Sequence, residues 1–365
     1  MRLPESWLNL NGVIYSLAQL RTGTFKNTNT TFEHNTLNFC HAWLNNKQEF
    51  QLHTSGSTGV AKPITITRQQ MEASAWLTIK ALSLKPSFVS LVCLDTKYIA
   101  GQMMLVRCLV LGMNIIAVEP TSNPFEKVPS TQSIDFAAFV PYQIQTIVNS
   151  SSRNRLEDLK CAIIGGAPLE LTTKKELQLF SCAFYATYGM TETISHIALQ
   201  RLNGEQPQDF FEALDDIELE KDERGCLVIK ASYVSDKKII TNDLVEIISE
   251  KKFRWLGRWD NIINSGGIKI SPEKVELAVQ EIFDSLKLSN RFFITGLPDE
   301  KLGQKVTLVI EGVWFSNNLR IKIKKALEKT VDPYEQPKEF KFINNFYLSE
   351  TGKVLRTKTL NFNLS

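Results

Sequence analysis

The sequence predicts an α/β protein: a large N-terminal layered α/β domain followed by a small C-terminal α+β domain. Three observations carry this. From Phe50 to about Phe180, apolar runs of strand type alternate with helix-spaced ones, the pattern of mostly parallel strands covered by helices. After about Gln200 short β-type runs take over. Near Gly257 a further unit opens on a capped helix and continues for about a hundred residues, a size that folds on its own. At 365 residues and 43% hydrophobic content the chain has material for two cores.

Taken in order, 4–46 carries helix-spaced apolar positions, among them Phe32, Leu37, Phe39, Cys40 and Trp43. Strands are expected at 64–66, 88–94, 114–118, 136–140 and 161–164. Helices are expected between them at 68–82, 101–111, 141–148 and 170–180. Pro141 suits a first helical turn, where its missing N–H costs nothing. Further strands follow at 226–230, 244–248 and 252–256. In the small unit, Ser271 reads as an N-cap and Pro272 as the first position of a helix running through 273–283. Strands at 292–295 and 306–310, an amphipathic helix at 319–329 and a strand at 340–343 complete it. The boundary is placed between residues 1–259 and 260–365. No internal repeat or low-complexity tract interrupts the chain.

Bulk chemistry narrows the class. Lys+Arg 42 against Asp+Glu 39 is nearly balanced, unlike a dedicated nucleic-acid binder. The cysteines Cys40, Cys93, Cys108, Cys161, Cys182 and Cys226 are scattered, with no Cys-x-x-Cys pair, and read as reduced, buried small hydrophobes. No apolar run reaches membrane-spanning length and no signal-peptide pattern follows Met1. A cytoplasmic protein without a membrane span is expected.

Chemistry concentrates in five segments. Thr54-Ser55-Gly56-Ser57-Thr58-Gly59-Val60-Ala61-Lys62 joins glycines, hydroxyls and a terminal lysine in one turn, a cradle for phosphate. Its spacing is not that of the P-loop, since no Gly-Lys-Ser/Thr follows the second glycine. Gly165-Gly166-Ala167-Pro168 ends a strand with bare backbone against which a flat ring could lie. Tyr188-Gly189-Met190-Thr191-Glu192 offers an aromatic face, a hydroxyl and a carboxylate. Gly257-Arg258-Trp259-Asp260 and Asn264-Ser265-Gly266-Gly267-Ile268-Lys269 cross the domain boundary. Thr351-Gly352-Lys353 sets a lysine on a turn near the C-terminus.

Together, in this order, the five resemble the landmarks of the adenylate-forming superfamily of acyl- and aryl-CoA ligases, carrier-protein adenylation domains and luciferases. The resemblance runs from about Phe50 to Lys358. Within it, the Asp260-Asn261 pair after Gly257-Arg258-Trp259, the Asn264–Gly267 run and the compact length are most similar to the o-succinylbenzoate–CoA ligase branch of menaquinone biosynthesis. The implied co-substrates are ATP, CoA and a small carboxylic acid, with Mg²⁺ as metal. No nucleic-acid partner is implied, and a homodimer is left open.

The resemblance also implies roles. Thr54 to Lys62 would grip the β- and γ-phosphates. Tyr188, flanked by Gly189 and Met190, would stack on adenine beside the Gly165–Pro168 backbone. Thr191 would bond the α-phosphate and Glu192 hold Mg²⁺, a cation that favours hard oxygens. Asp243 and Arg258 would hold the ribose, Asp260 would be the hinge of a mobile C-terminal domain, and Gly266, Gly267, Ile268 and Lys269 would wall the pantetheine tunnel. Lys353 would stabilise charge in the adenylation transition state. Lys97, Tyr98, Gly101, Ser195 and His196 would line the acyl site, with Lys97 or Ser195 receiving a second carboxylate.

Three departures from the family pattern stand out. Ala61 and Pro63 replace its usual proline and glycine, and Thr241-Asn242-Asp243 replaces its Thr-Gly-Asp. Asparagine tolerates the left-handed backbone glycine would adopt, so a turn is expected there. The segment before the phosphate loop is also short, which puts the acyl-pocket wall in question. Two readings remain beside the lead: another acid–CoA ligase or carrier-loading enzyme, and a non-catalytic adenine-nucleotide sensor. Glu192 and Lys353 speak against the sensor.

Overall fold

The computed structural model describes residues 6–25, 28–53, 63–348 and 354–361. Among these, one sheet of thirteen strands organises the first two thirds of the chain. Its parallel part runs Ser6–Leu10, Asn114–Ala117, Val89–Val92, Phe136–Phe139, Cys161–Ile164 and Ala183–Gly189. Beyond Ala183–Gly189 every pairing is antiparallel: His196–Arg201, Phe211–Ala213, Lys252–Arg258, Ser235–Ser249, Cys226–Ala231 and Ile217–Lys221. The inner parallel strands Phe136–Phe139 and Cys161–Ile164 read as continuous apolar runs because both faces are covered.

One face carries the helices Thr31–Leu44, Arg68–Ala81 and Ile99–Leu111, and the other Pro141–Val148 and Leu171–Leu177. Ile99–Leu111 is buried continuously from Met103 to Leu109. Such a helix is apolar all round because it has no solvent side, which makes its single charge, Arg107, conspicuous. Arg68–Ala81 starts on a capping box in which Thr67 accepts from the Gln70 N–H and Gln70 accepts from the Thr67 N–H at 2.8 Å. All six cysteines are buried and free, and burial pushes the thiols of Cys93, Cys108 and Cys161 up to about 12.

The opening of the chain departs from the expected helical pattern. Ser6–Leu10 and Val13–Ser16 form a hairpin on the edge of the large sheet, turning at Asn11 (φ 48°) and Gly12 (φ 86°). Two consecutive positive-φ residues make the tight turn that an Asn-Gly pair favours. The five apolar positions read as helical do lie in Thr31–Leu44, buried. Glu49–His53 and Pro63–Thr67 pair as a separate two-stranded ribbon.

The large sheet's last strand in sequence ends at Arg258, and a turn at Trp259–Asn261 leads into a second sheet. That sheet holds Ile268–Ile270, Ile263–Ser265, Gly303–Glu311, Phe292–Asp299 and Glu339–Ile343. Pro272–Ser285 and Asn317–Thr330 cover one face through Val275, Val279, Ile323 and Leu327. Phe293, Val309, Ile343 and Phe346 form a smaller core on the other. Ser271 stands at the N-cap position, but its hydroxyl donates to the Leu256 carbonyl at 3.2 Å instead of capping the helix. The polar atoms at this junction crowd Gly257, where φ is 136° and a Cβ would come within 2.5 Å of Glu273 Oε2. Only glycine fits there. No helix among the described residues is long and apolar enough to cross a membrane.

Candidate active site

Two polar clusters flank the end of Ala183–Gly189, where the parallel part of the large sheet gives way to the antiparallel part. Between them the chain makes the turn Thr191–Thr193. Thr193 ties it from inside, accepting from the Met190 N–H at 2.9 Å and donating to the Ser195 carbonyl at 2.7 Å. Ile194 is held at φ 70°, costly for a β-branched side chain and characteristic of segments whose geometry serves a site. Gly189 has no room for a side chain, since a Cβ would meet His196 Cα and Ser195 O at 2.5 Å. At Gly165 a Cβ would instead run into the Thr187 side chain at Oγ1.

The first cluster is built by strand register. Asp243 and Arg258 face each other across neighbouring antiparallel strands. Asp243 accepts from the Tyr188 hydroxyl at 2.7 Å and from Trp255 Nε1 at 3.1 Å, with Arg258 Nη1 3.7 Å away. Arg258 also makes a bidentate contact with Asp260 at 2.9 and 2.7 Å, linking the large sheet to the turn. The Tyr188 ring packs edge-on to Phe253 with centroids 5.0 Å apart. Burial and the Asp243 carboxylate both push its phenol well above the ordinary range, so the hydroxyl is a standing donor. Asn242 does not make the left-handed turn expected of it. It sits within the strand Ser235–Ser249, and its side chain accepts from Arg224 Nη1 at 2.9 Å.

The second cluster lies under the helices. Arg107 is 2% exposed, and its Nη2 donates to Ser195 Oγ at 2.7 Å. Its Nε has no partner, and no carboxylate pairs with it among the described residues. Burial pulls the guanidinium down to about 10, still charged at neutral pH. His196 Nε2 lies 3.0 Å from Thr78 Oγ1, and burial, with Arg107 beside it, holds the imidazole well below its usual range and therefore neutral. Tyr233 and Ser74 complete the group, each with a buried hydroxyl that makes no well-formed hydrogen bond.

The sequence-derived residues divide accordingly. Tyr188, Asp243, Arg258 and Asp260 come together, as do Ser195 and His196. Gly165 abuts Thr187, next to Tyr188. Lys97 is exposed, its ammonium 5.3 Å from the Tyr98 ring centroid, and Gly101 is closed by the Asp95 carbonyl. Gly266 (φ 61°) and Gly267 (φ 84°) form the tip of the Ile263–Ile270 hairpin, and Lys269 lies 4.6 Å over Trp259. The phosphate loop Thr54–Lys62 and Lys353 lie outside the described residues. Glu192 is exposed and Thr191 half-buried beside it. An exposed carboxylate with no ion pair among the described residues fits a magnesium ligand, because its lone pairs are free for a hard cation. Arg107, Thr78, Trp255 and Tyr233 escaped the sequence reading. Arg107 left a signal, a lone charge in the apolar run 99–111.

The family model for AMP-binding enzymes matches residues 44–214. An acyl-CoA synthetase (AMP-forming)/AMP-acid ligase II-like protein from Dyadobacter fermentans has a crystal structure that is 40% identical, with TM-score 0.62, covering 94% of this chain and 97% of that one. The chain belongs to the AMP-binding, adenylate-forming enzyme family. It is an AMP-forming acid–CoA ligase in class. The 2-succinylbenzoate–CoA ligase of Oceanobacillus iheyensis is 23% identical over 335 residues, covering 84% of this chain and 68% of the relative. That of Salmonella typhimurium is 26% identical over 286 residues, covering 74% and 59%. The o-succinylbenzoate CoA synthetase of Bacillus subtilis, solved with ATP and magnesium, shares the fold at 20% identity and TM-score 0.70, covering 85% of this chain and 69% of that one.

Proposed function

We propose that the enzyme activates an acid that carries a second carboxylate, with o-succinylbenzoate the lead substrate, and transfers it to CoA. The observation that carries this reading is Arg107, a buried cation without a carboxylate partner among the described residues, beside Ser195 and His196. Burying an unpaired charge is costly. An incoming carboxylate would offset that cost, whereas a plain hydrocarbon acid would leave the cost in place. The succinylbenzoate-ligase names of the relatives point the same way.

In the first step a substrate carboxylate oxygen attacks the α-phosphorus of ATP, and the bond to the β-phosphate oxygen breaks to release pyrophosphate. Thr54 to Lys62 would bind the departing phosphates, Asp243 and Arg258 the ribose, and Tyr188 the adenine. Thr191 would bond the α-phosphate and Glu192 would hold Mg²⁺, which when bound neutralises phosphate charge. Lys353 would stabilise the charge that builds between two anions. In the second step the CoA sulfur attacks the acyl carbon, AMP leaves and the thiol proton passes to solvent. We take residues 1–259 and 260–365 as two bodies turning at Asp260, so that Gly266 to Lys269 replace Lys353 at the site. Neutral His196 would orient the acid as a hydrogen-bonding group and carry no charge.

The test is AMP and pyrophosphate release by purified protein with Mg-ATP, CoA and a panel of mono- and diacids. Strong preference for o-succinylbenzoate is expected. Equal use of acids lacking a second carboxylate would overturn the substrate assignment, and no turnover of any acid would overturn the ligase roles.

A further inference from the structure

Two strands of the antiparallel region, Cys226–Ala231 and Ser235–Ser249, meet in a short tip, Ser232-Tyr233-Val234. The tip is tightly made. Ala231 pairs with Ser235, and the Val234 N–H donates to the Ala231 carbonyl at 2.8 Å. It is also docked: Gln70, whose carbonyl end serves the Thr67 capping box, donates from Nε2 to the Val234 carbonyl at 2.6 Å. One side chain thus starts the helix Arg68–Ala81 and holds the tip against it.

Tyr233 has two surroundings. Outside, it lines a cleft of about 320 Å³ with Thr67, Gln69, Gln70, Ala73 and Asp236. Inside, its hydroxyl faces Ser74 and Arg107. Three buried polar atoms in this region lack a well-formed partner: Tyr233 OH, Ser74 Oγ and Arg107 Nε. Buried polar groups are as a rule hydrogen-bonded, and each exception calls for an explanation. Three together, two hydroxyls and a guanidinium, make a donor set for one anion.

We infer that Tyr233 is the specificity-determining wall of the acyl site, donating with Ser74 and Arg107 to the substrate's second carboxylate and closing the site from the outer cleft. This rests on the reading that the acid lies beside Arg107, Ser195 and His196. Burial pushes the Tyr233 phenol up to about 12, so the donor stays protonated at working pH. Its position on a tip pinned by Gln70 gives the rigidity a discriminating contact needs. With the ring removed, the inner site and the cleft would join, admitting acids longer than the parent enzyme accepts.

The test compares kcat/KM for o-succinylbenzoate with that for 4-oxo-4-phenylbutanoate, which lacks the ring carboxylate, in the parent, Tyr233→Phe, Ser74→Ala and Arg107→Met. Losing one hydrogen bond to a charged group should lower the diacid-to-monoacid ratio about tenfold in Tyr233→Phe. A merely structural role would lower both rates together and leave the ratio intact. Tyr233→Ala should raise the relative rate with the biphenyl homologue of the monoacid, which needs the cleft. A parental ratio in Tyr233→Phe while Arg107→Met loses discrimination would overturn the inference and spare the acyl-site reading. An unchanged ratio in Arg107→Met would overturn that reading, and the inference with it.

Discussion

The two clusters flanking the turn after Gly189 are made of similar groups and are satisfied in opposite ways. Around Asp243 the carboxylate accepts from Tyr188 and Trp255 and lies beside Arg258, which is itself paired with Asp260. Around Arg107 the guanidinium reaches Ser195 and keeps an unpartnered Nε, with the Tyr233 and Ser74 hydroxyls facing each other nearby without a well-formed hydrogen bond. The first is a finished network whose members hold one another. The second is preorganised, held in shape by helix packing and a docked tip, with donor capacity left over. Removing a charge should therefore have opposite consequences for stability at the two places.

The largest effect is expected at the unfinished cluster. Arg107→Met should lower kcat/KM for o-succinylbenzoate by ~10²-fold, the scale of losing a buried, hydrogen-bonded charge contact. Its Tm should hold or rise, because an apolar side chain of similar length replaces a buried charge that has no carboxylate partner. Differential scanning calorimetry beside the activity assay checks both signs. A falling Tm would show that Arg107 is structural.

Asp243→Ala should do the reverse. The Tyr188 hydroxyl and Trp255 Nε1, both partly buried, would lose their shared acceptor, at up to about 1–3 kcal/mol each, and Tm should fall. The KM for ATP should rise by ~10-fold or more if Asp243 also holds the ribose. A lowered Tm with unchanged ATP dependence would make Asp243 a strut and remove it from the nucleotide site.

These contrasts explain what the sequence could reveal. Helices announced themselves wherever period and caps agreed, as at Arg68–Ala81 and Pro141–Val148. The edge hairpin at Asn11-Gly12 was missed although its turn pair is a hairpin signal, because the strands are short and run into the helical pattern after Leu17. Asp243 was legible as a motif residue. Tyr188 was legible too, but its bond to Asp243, 55 residues on, was not, and neither was Trp255, since contacts across a sheet depend on register, which local pattern does not contain. Arg107 was visible as the one charge in an apolar helix, but only burial shows that this charge lacks a carboxylate partner.

A smaller, pH-dependent effect should come from His196. Its folded-state value lies well below the ordinary 6.5, so the unfolded chain binds the proton more readily. The associated stability is fully present above pH ~6.5 and is lost as pH falls below it towards the folded value. Thermal unfolding followed from pH 7.5 to 5 should show Tm declining on the acid side, and His196→Asn should flatten that decline. An equal acid slope in the variant would assign the decline to other groups.

The smallest effect is expected at Lys97, and it separates the two clusters' logic from simple charge counting. Lys97 stands near the start of the same helix that carries Arg107, and by sequence either it or Ser195 could receive a second carboxylate. The structure leaves its ammonium exposed over the Tyr98 ring at 5.3 Å. An exposed contact of this kind contributes about 0.5–1 kcal/mol at most, and water already solvates the charge. Lys97→Ala should therefore keep kcat/KM for o-succinylbenzoate within about threefold, while Arg107→Met does not. What distinguishes the two cations is solvation: the buried one gains from an incoming anion what the exposed one already has from water. A loss at Lys97 comparable to that at Arg107 would mean that the acid enters from the Tyr98 side, and the buried cluster would have to be reassigned to packing.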